Sequence, residues 1–196
     1  MRRLSFSRPR RIDSDKSPGV ERSISASRRV KFCCTSVLSS RKWILSKMNV
    51  FQRDLNIQTP GRGFVDVTGF IEKLLIESKV AVGLCHIFCM HTSASLTITE
   101  NADPNVHVDL LHFMKELVPD GSPAYTHRSE GDDDLPAHVR SVLTDSSLTV
   151  PITNERLNLG RWQCIYLLEH RYQPHSRDIC VTITGKDQDG ARSLRK

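Results

Sequence analysis

The sequence predicts an α+β domain, and three observations carry that prediction. Period-two apolar alternation marks segments near both ends of the regular part of the chain. Helical spacing is gathered in the middle, and no run of β-α-β units implies a parallel sheet. The regular part begins near Val50. Before it, residues 1–48 hold 13 Lys or Arg, three acidic residues and 11 Ser, a formal charge of +10 within a chain of net charge +6. The remainder is therefore acidic. A nucleic-acid reading drawn from the overall basic balance would rest on this leader alone, because no basic stripe interleaved with aromatics follows it.

The elements follow in order. Phe51, Leu55 and Ile57 predict a first strand, and Thr59-Pro60-Gly61-Arg62-Gly63 is turn chemistry leading to a second at Phe64 to Val67. Thr68 is placed to cap a helix with Phe70, Ile71, Leu74 and Leu75 on its apolar face. Two β-type runs, Val80 to Met90 and Leu96 to Glu100, are expected to form a hairpin. Asp103-Pro104 starts the clearest helix, with the aspartate as acceptor for free N–H groups and proline at the first helical position. Its face is Val106, Leu110, Met114 and Leu117. After a polar stretch a shorter helix opens at Asp134, which is assigned the cap. Its apolar face is Leu135, Val139, Val142 and Leu143, and it turns His138 inward. Three strands complete the chain: Leu148, Val150 and Ile152 alternating, then Gln163 to Glu169, then Ile179 to Thr184, with Asn154 to Arg161 joining the first two. The predicted order is β-β-α-β-β-α-α-β-β-β.

Composition excludes several classes. No run of about 18 apolar residues exists, so no transmembrane helix and no membrane partner are expected. The six cysteines, Cys33, Cys34, Cys85, Cys89, Cys164 and Cys180, contain no CxxC pair and read as reduced and mostly buried. The Arg- and Ser-rich, acid-poor leader has the composition of a chloroplast or mitochondrial transit peptide, whereas a product starting at Met48 would stay in the cytoplasm. HExxH, GxxxxGK[ST], GxSxG, GxGxxG and the zinc-deaminase signature are all missing.

The chemistry is concentrated instead in histidines beside polar residues. His91 opens a hydroxyl-rich segment, and His138 is expected to share a metal with carboxylates of Glu130-Gly131-Asp132-Asp133-Asp134. Alternation sends Glu169 and Arg171 to one face of their strand and His170 to the other, so one of them must reach a cavity or a subunit boundary. His127 and His175 also fall at element ends. His112 lies on a polar helix face, and Trp162 is expected to pack. Arg161, Arg171 and Arg177 are candidates to hold phosphate or carboxylate oxygens, with surface salt bridges the equal alternative for Arg177. The residues by themselves predict a metal-assisted or acid/base site of His, Asp and Glu taking a small anionic ligand.

Five segments together resemble the YjbQ-like family, also called the secondary thiamine-phosphate synthase family: HTSASLTITENADP at 91–104, LVP at 117–119, YTHRSEGDDDLPAH at 125–138, SSLTVP at 146–151 and GRWQCIYLLEHR at 160–171. The resemblance spans about residues 50–185. It implies a compact β-sandwich of mainly antiparallel strands with flanking helices, assembling as a homotrimer with sites near subunit boundaries. It also implies a transferase joining a pyrimidine diphosphate to a thiazole phosphate, a phosphorylated small-molecule substrate and a divalent metal, zinc or magnesium. Carried over residue by residue, His91, His127, His138 and His170 are the implied metal ligands. Glu100, Asp133, Gln163 and Glu169 are implied catalytic residues, and Thr92, Ser93, Asn101 and Arg171 implied substrate contacts. One departure is visible, because Gly160-Arg161-Trp162-Gln163 carries a cation where the family has threonine. A metal-dependent hydrolase of a small phosphorylated or ester substrate and a non-catalytic trimeric binder of metal or anion are the alternative readings of the same residues.

Overall fold

The computed structural model describes residues 48–193, with side chains described for 48–190. The leader, Cys33, Cys34 and Trp43 lie outside the described residues. Within them the chain runs β1 (Asn49–Thr59), β2 (Gly63–Asp66), α1 (Thr68–Ser78), β3 (Val82–Cys89), β4 (Ala94–Glu100), α2 (Pro104–Leu117), α3 (Asp134–Leu143), β5 (Ser147–Thr153), β6 (Arg156–Leu157), β7 (Gln163–Glu169), β8 (His175–Lys186) and α4 (Gln188–Ser193). The short β6 and α4 add to the predicted order.

All strand pairs are antiparallel, in a five-stranded sheet ordered β1-β8-β3-β5-β6 and a three-stranded sheet ordered β2-β7-β4. The predicted hairpin of β3 and β4 is not formed, because the two strands go to different sheets. Alternation specifies which face of a strand is apolar, not which sheet receives it, and chain proximity suggested the wrong partner. A hairpin does join β5 and β6. Asn154 and Glu155 both take positive φ (52° and 61°) between the pairs Thr153↔Arg156 and Ile152↔Leu157, the two-residue turn whose twist matches its strands.

The sheets face each other across an apolar interior. Ile179, Val181 and Ile183 of β8 and Cys85 and Ile87 of β3 pack with Leu96 of β4 and Ile165 and Leu167 of β7. Ile71, Leu74 and Leu75 of α1 join the same cluster, whereas Phe70 is exposed. Thr68 does not cap α1. It is the first helical residue, its N–H is received by Asp66 Oδ1 at 2.8 Å, and its hydroxyl lies against Ile165. At Gly83 a Cβ would overlap Thr184 O and Gly185 Cα, so only glycine lets β3 and β8 approach this closely.

β7 is buried on both faces from Ile165 to Glu169, and that fact places the polar chemistry. Ile165, Leu167 and Glu169 share the interior face. Tyr166, Leu168 and His170 share the other, beneath α2 and α3. Asp103 caps α2 through the Asn105 N–H, as the sequence predicts. No residue of α2 is buried, however. Its inward line is the half-buried Val106, His107, Leu111 and Met114, and Leu117 of the predicted face stays exposed. In α3 the inward residues are Asp134, Pro136, Ala137 and Arg140, while Val142 (84% exposed) and Leu143 face outward. Polar residues took the inward face because partners await them there.

Candidate metal centre

Helix α3 begins one residue earlier than a cap at Asp134 would require: Asp133 is the cap position and Asp134 the first helical residue. Asp134 therefore points inward, one helical turn before His138, so the two lie on one face. The loop ahead of α3 returns His127 to the same point. His127 Nε2 lies 2.8 Å from Asp134 Oδ2, and His138 Nε2 lies 3.6 Å from it. The nearest ligand atoms of the three residues all lie within 4.8 Å of one another.

Outer contacts fix this arrangement. His138 Nδ1 donates to Thr92 O at 3.0 Å, which leaves the lone pair of Nε2 free to face Asp134. Arg171 donates to Asp134 Oδ1 through Nη1, to Asp133 Oδ2 through Nε at 3.1 Å and to Glu130 O through Nη2 at 2.7 Å. One guanidinium thus bridges Asp133 and Asp134 and occupies the Asp134 oxygen that does not face the histidines. Among the described residues Asp134 Oδ2 is buried and accepts no hydrogen bond, although two imidazole nitrogens flank it. Burial works against ionisation of Asp133, yet the Tyr172 N–H and Arg171 hold its carboxyl below the usual range.

The other histidines named from the sequence stand apart from this cluster. His91 Nε2 accepts the Asp178 N–H at 2.7 Å, and burial together with the Arg177 cation lowers its pKa. His170 is 2% exposed, with Nε2 2.9 Å from the buried Ser95 hydroxyl, and burial followed by Arg140 pushes its pKa down to about 3. Both imidazoles are held neutral by surroundings that already use a ring nitrogen. The hydroxyl-rich segment is a strap: Thr92 O takes His138, Ala94 O takes the Ser141 hydroxyl, and Ser95 joins Thr144 and His170.

The remaining candidates sit as follows. Glu169 is fully buried and bound by Arg177 through two contacts of 2.6 and 2.7 Å and by the Thr59 hydroxyl at 2.8 Å. Against the cost of burial, these donors hold its carboxyl below the usual range. Arg177 is therefore neither a surface cation nor free to hold an anion. Glu100 is exposed and its carbonyl meets His107 Nε2, while Asn101 donates to Cys164 Sγ. Gln163 Oε1 accepts the Gly160 N–H and secures that turn. Thr92 presents an exposed side chain and Ser93 a half-buried one. Trp162 does not pack: it is 53% exposed, with the Arg161 guanidinium stacked on its ring. Sequence reasoning offered Asp134 only as one carboxylate of the run 130–134 and assigned it the cap, although its four-residue spacing from His138 singled it out. It missed the buried Arg140, for which the sequence carries no signal.

Residues 53–186 match the sequence profile of the family described as "UPF0047 protein YjbQ-like". A UPF0047 protein of Synechocystis sp. is 47% identical over 135 residues, covering 69% of this chain and 92% of its own length. The YjbQ protein of Escherichia coli O157:H7 is 41% identical over 137 residues, covering 69% and 99%. A crystal structure from Sulfolobus solfataricus P2, described as a protein of unknown function, aligns with a TM-score of 0.64 at 27% identity over 71% of this chain and all of its own. One from Clostridium acetobutylicum aligns at 0.59 and 36% identity over 68% and 98%. These findings overturn the expected thiamine-phosphate synthase activity. The relatives are named only as UPF0047 or YjbQ-like proteins, and none indicates that reaction. The chain belongs to the UPF0047, YjbQ-like family.

Proposed function

We propose that this protein binds one divalent metal ion through His127 Nε2, Asp134 Oδ2 and His138 Nε2, as a site of the open kind that carries a water. A single observation carries the reading: among the described residues a buried carboxylate oxygen accepts no hydrogen bond and faces the Nε2 atoms of two histidines. Left so, the oxygen bears the desolvation cost of an unsatisfied polar group, which a cation would offset. Two imidazoles and one carboxylate favour zinc over magnesium, which prefers an all-oxygen shell. Three protein ligands would leave room for a water, and the His127 side chain is half-exposed. His127, Asp134 and His138 would hold the metal, which would supply Lewis-acid chemistry and an acidified water.

The chain's own residues do the positioning. The Thr92 carbonyl sets the tautomer of His138, and Arg171 orients Asp134 and balances its charge. Assembly as a homotrimer belongs to the same proposal, supported by the exposed Val108, Phe113 and Leu117 of α2. The test is a zinc titration of chelator-stripped full-length protein by calorimetry, with cobalt(II) absorption as the geometric readout. One equivalent per chain is expected, abolished in Asp134→Asn and in His138→Ala with the circular dichroism spectrum unchanged. Stoichiometric binding that survives both substitutions would exclude this site.

A further inference from the structure

A groove away from the metal ligands runs between α2 and the turn that joins β1 to β2. Its volume is about 590 Å³, the size of a small-molecule pocket, and its lining includes Arg62, Leu111, Lys115 and Tyr172. One wall is fixed by the fold. Gly61 takes φ 119°, and a Cβ there would lie 2.4 Å from Tyr172 O, so only glycine lets the turn press onto Tyr172. Arg62 stacks on the Tyr172 ring, 3.9 Å from its centroid, and the Tyr172 hydroxyl donates to Asp120 at 2.6 Å. The opposite wall is α2, where Leu111 and Lys115, four residues apart, share one face.

Positive charge gathers at this groove. Arg62 donates twice to Asp120 (2.7 and 3.0 Å) and Arg140 Nη2 once (3.2 Å), so two guanidiniums share one carboxylate. Lys115 is exposed, and among the described residues its ammonium makes no hydrogen bond or ion pair. The next acid along α2, Glu116, lines the adjoining groove. Behind the cations the lining turns apolar. A cavity of about 20 Å³ beneath α2 shares Arg62 and Leu111 with the groove, and Phe64, Met114, Leu168 and Arg140 also line it. One uncommitted ammonium matches one negative charge. Each nitrogen of Arg62 is already engaged, by His170 O or by Asp120, so the groove lacks the several free donors that a phosphate dianion takes.

We infer that this groove binds a small organic monoanion, a carboxylate with an apolar chain or ring. The carboxylate meets Lys115, and the apolar body lies between Leu111 and Tyr172 toward the cavity beneath α2. Calorimetry of the full chain with butanoate, hexanoate and octanoate tests this at constant ionic strength, in chelator so that no metal takes the carboxylate. Each added methylene should tighten binding by about fourfold, the worth of burying one such group. Octanol, which lacks the charge, should bind about three- to fivefold more weakly than octanoate, and so should octanoate on Lys115→Gln, the upper worth of an exposed ion pair. Crystals soaked in para-bromobenzoate should show the bromine anomalous peak between α2 and Tyr172. Absence of binding, an affinity independent of chain length, equal affinity of Lys115→Gln and the unsubstituted chain for octanoate, or a bromine peak confined to another surface would each overturn the inference.

Discussion

Acidification from pH 7 to pH 5 should destabilise the fold by about 2 kcal/mol through His170 alone. Its pKa in the folded chain is pushed from 6.5 to about 3 by burial and then by the Arg140 cation, whereas unfolding restores the ordinary value. Below pH 6.5 the unfolded chain accepts a proton that the folded chain refuses. The stabilisation is therefore complete above 6.5 and lost progressively toward pH 3. The slope is about 1.4 kcal/mol per pH unit, and pH 5 lies one and a half units into the window. Glu169, Asp120 and Asp133 are held below the ordinary carboxylate range, so their contributions are lost further into acid. His91, also lowered, adds in the same direction, and the comparison with His170→Gln removes it. Urea melts in chelator at pH 7, 6, 5.5 and 5, followed by circular dichroism, should show the variant weaker at pH 7 but flatter below 6.5. Parallel pH profiles for the two proteins would refute the assignment of a buried neutral imidazole.

Three further outcomes are expected. Arg177→Met strands the buried Glu169 carboxylate, and a loss of about 3–5 kcal/mol should appear as a lower urea midpoint at unchanged slope. Gly83→Ala places a Cβ against the backbone of β8 and should lower thermal stability by at least the roughly 1–3 kcal/mol of an overpacked core; an unchanged melting temperature would show that the two strands separate freely. Arg171→Met frees Asp134 Oδ1 and should weaken zinc binding by about 10- to 100-fold in calorimetry, the cost of losing an outer-shell partner, whereas unchanged affinity would deny Arg171 its orienting part.

The strands were legible where one face meets the interior, as in the alternating burial of β5 and β8. The start of α2 was legible because its cap is local chemistry. Pairing between distant segments was not, since β3 and β4 satisfy their apolar faces equally well in one sheet or two. The apolar face assigned to α3 failed for a related reason. Asp134 and Arg140 turn inward because Arg171 and Asp120 await them from far along the chain, and helical spacing cannot register such partners. The site followed the same rule. Histidine and carboxylate types near residues 127–138 were readable, but His91 and His170 carry the same sequence character, and the fold sets them against Asp178 and Ser95 rather than beside Asp134.

Helix α2 has a consequence for how the molecule opens. In a chain without neighbours covering it, a helix of 14 residues with nothing buried draws little from the core, and at that length helix propensity alone is marginal in water. Its amides should exchange with solvent through local opening, at a free energy well below that of β7, which is covered on both faces. The path to the cavity that Arg140 lines would then be the transient lifting of this one helix, while the sheets stay closed.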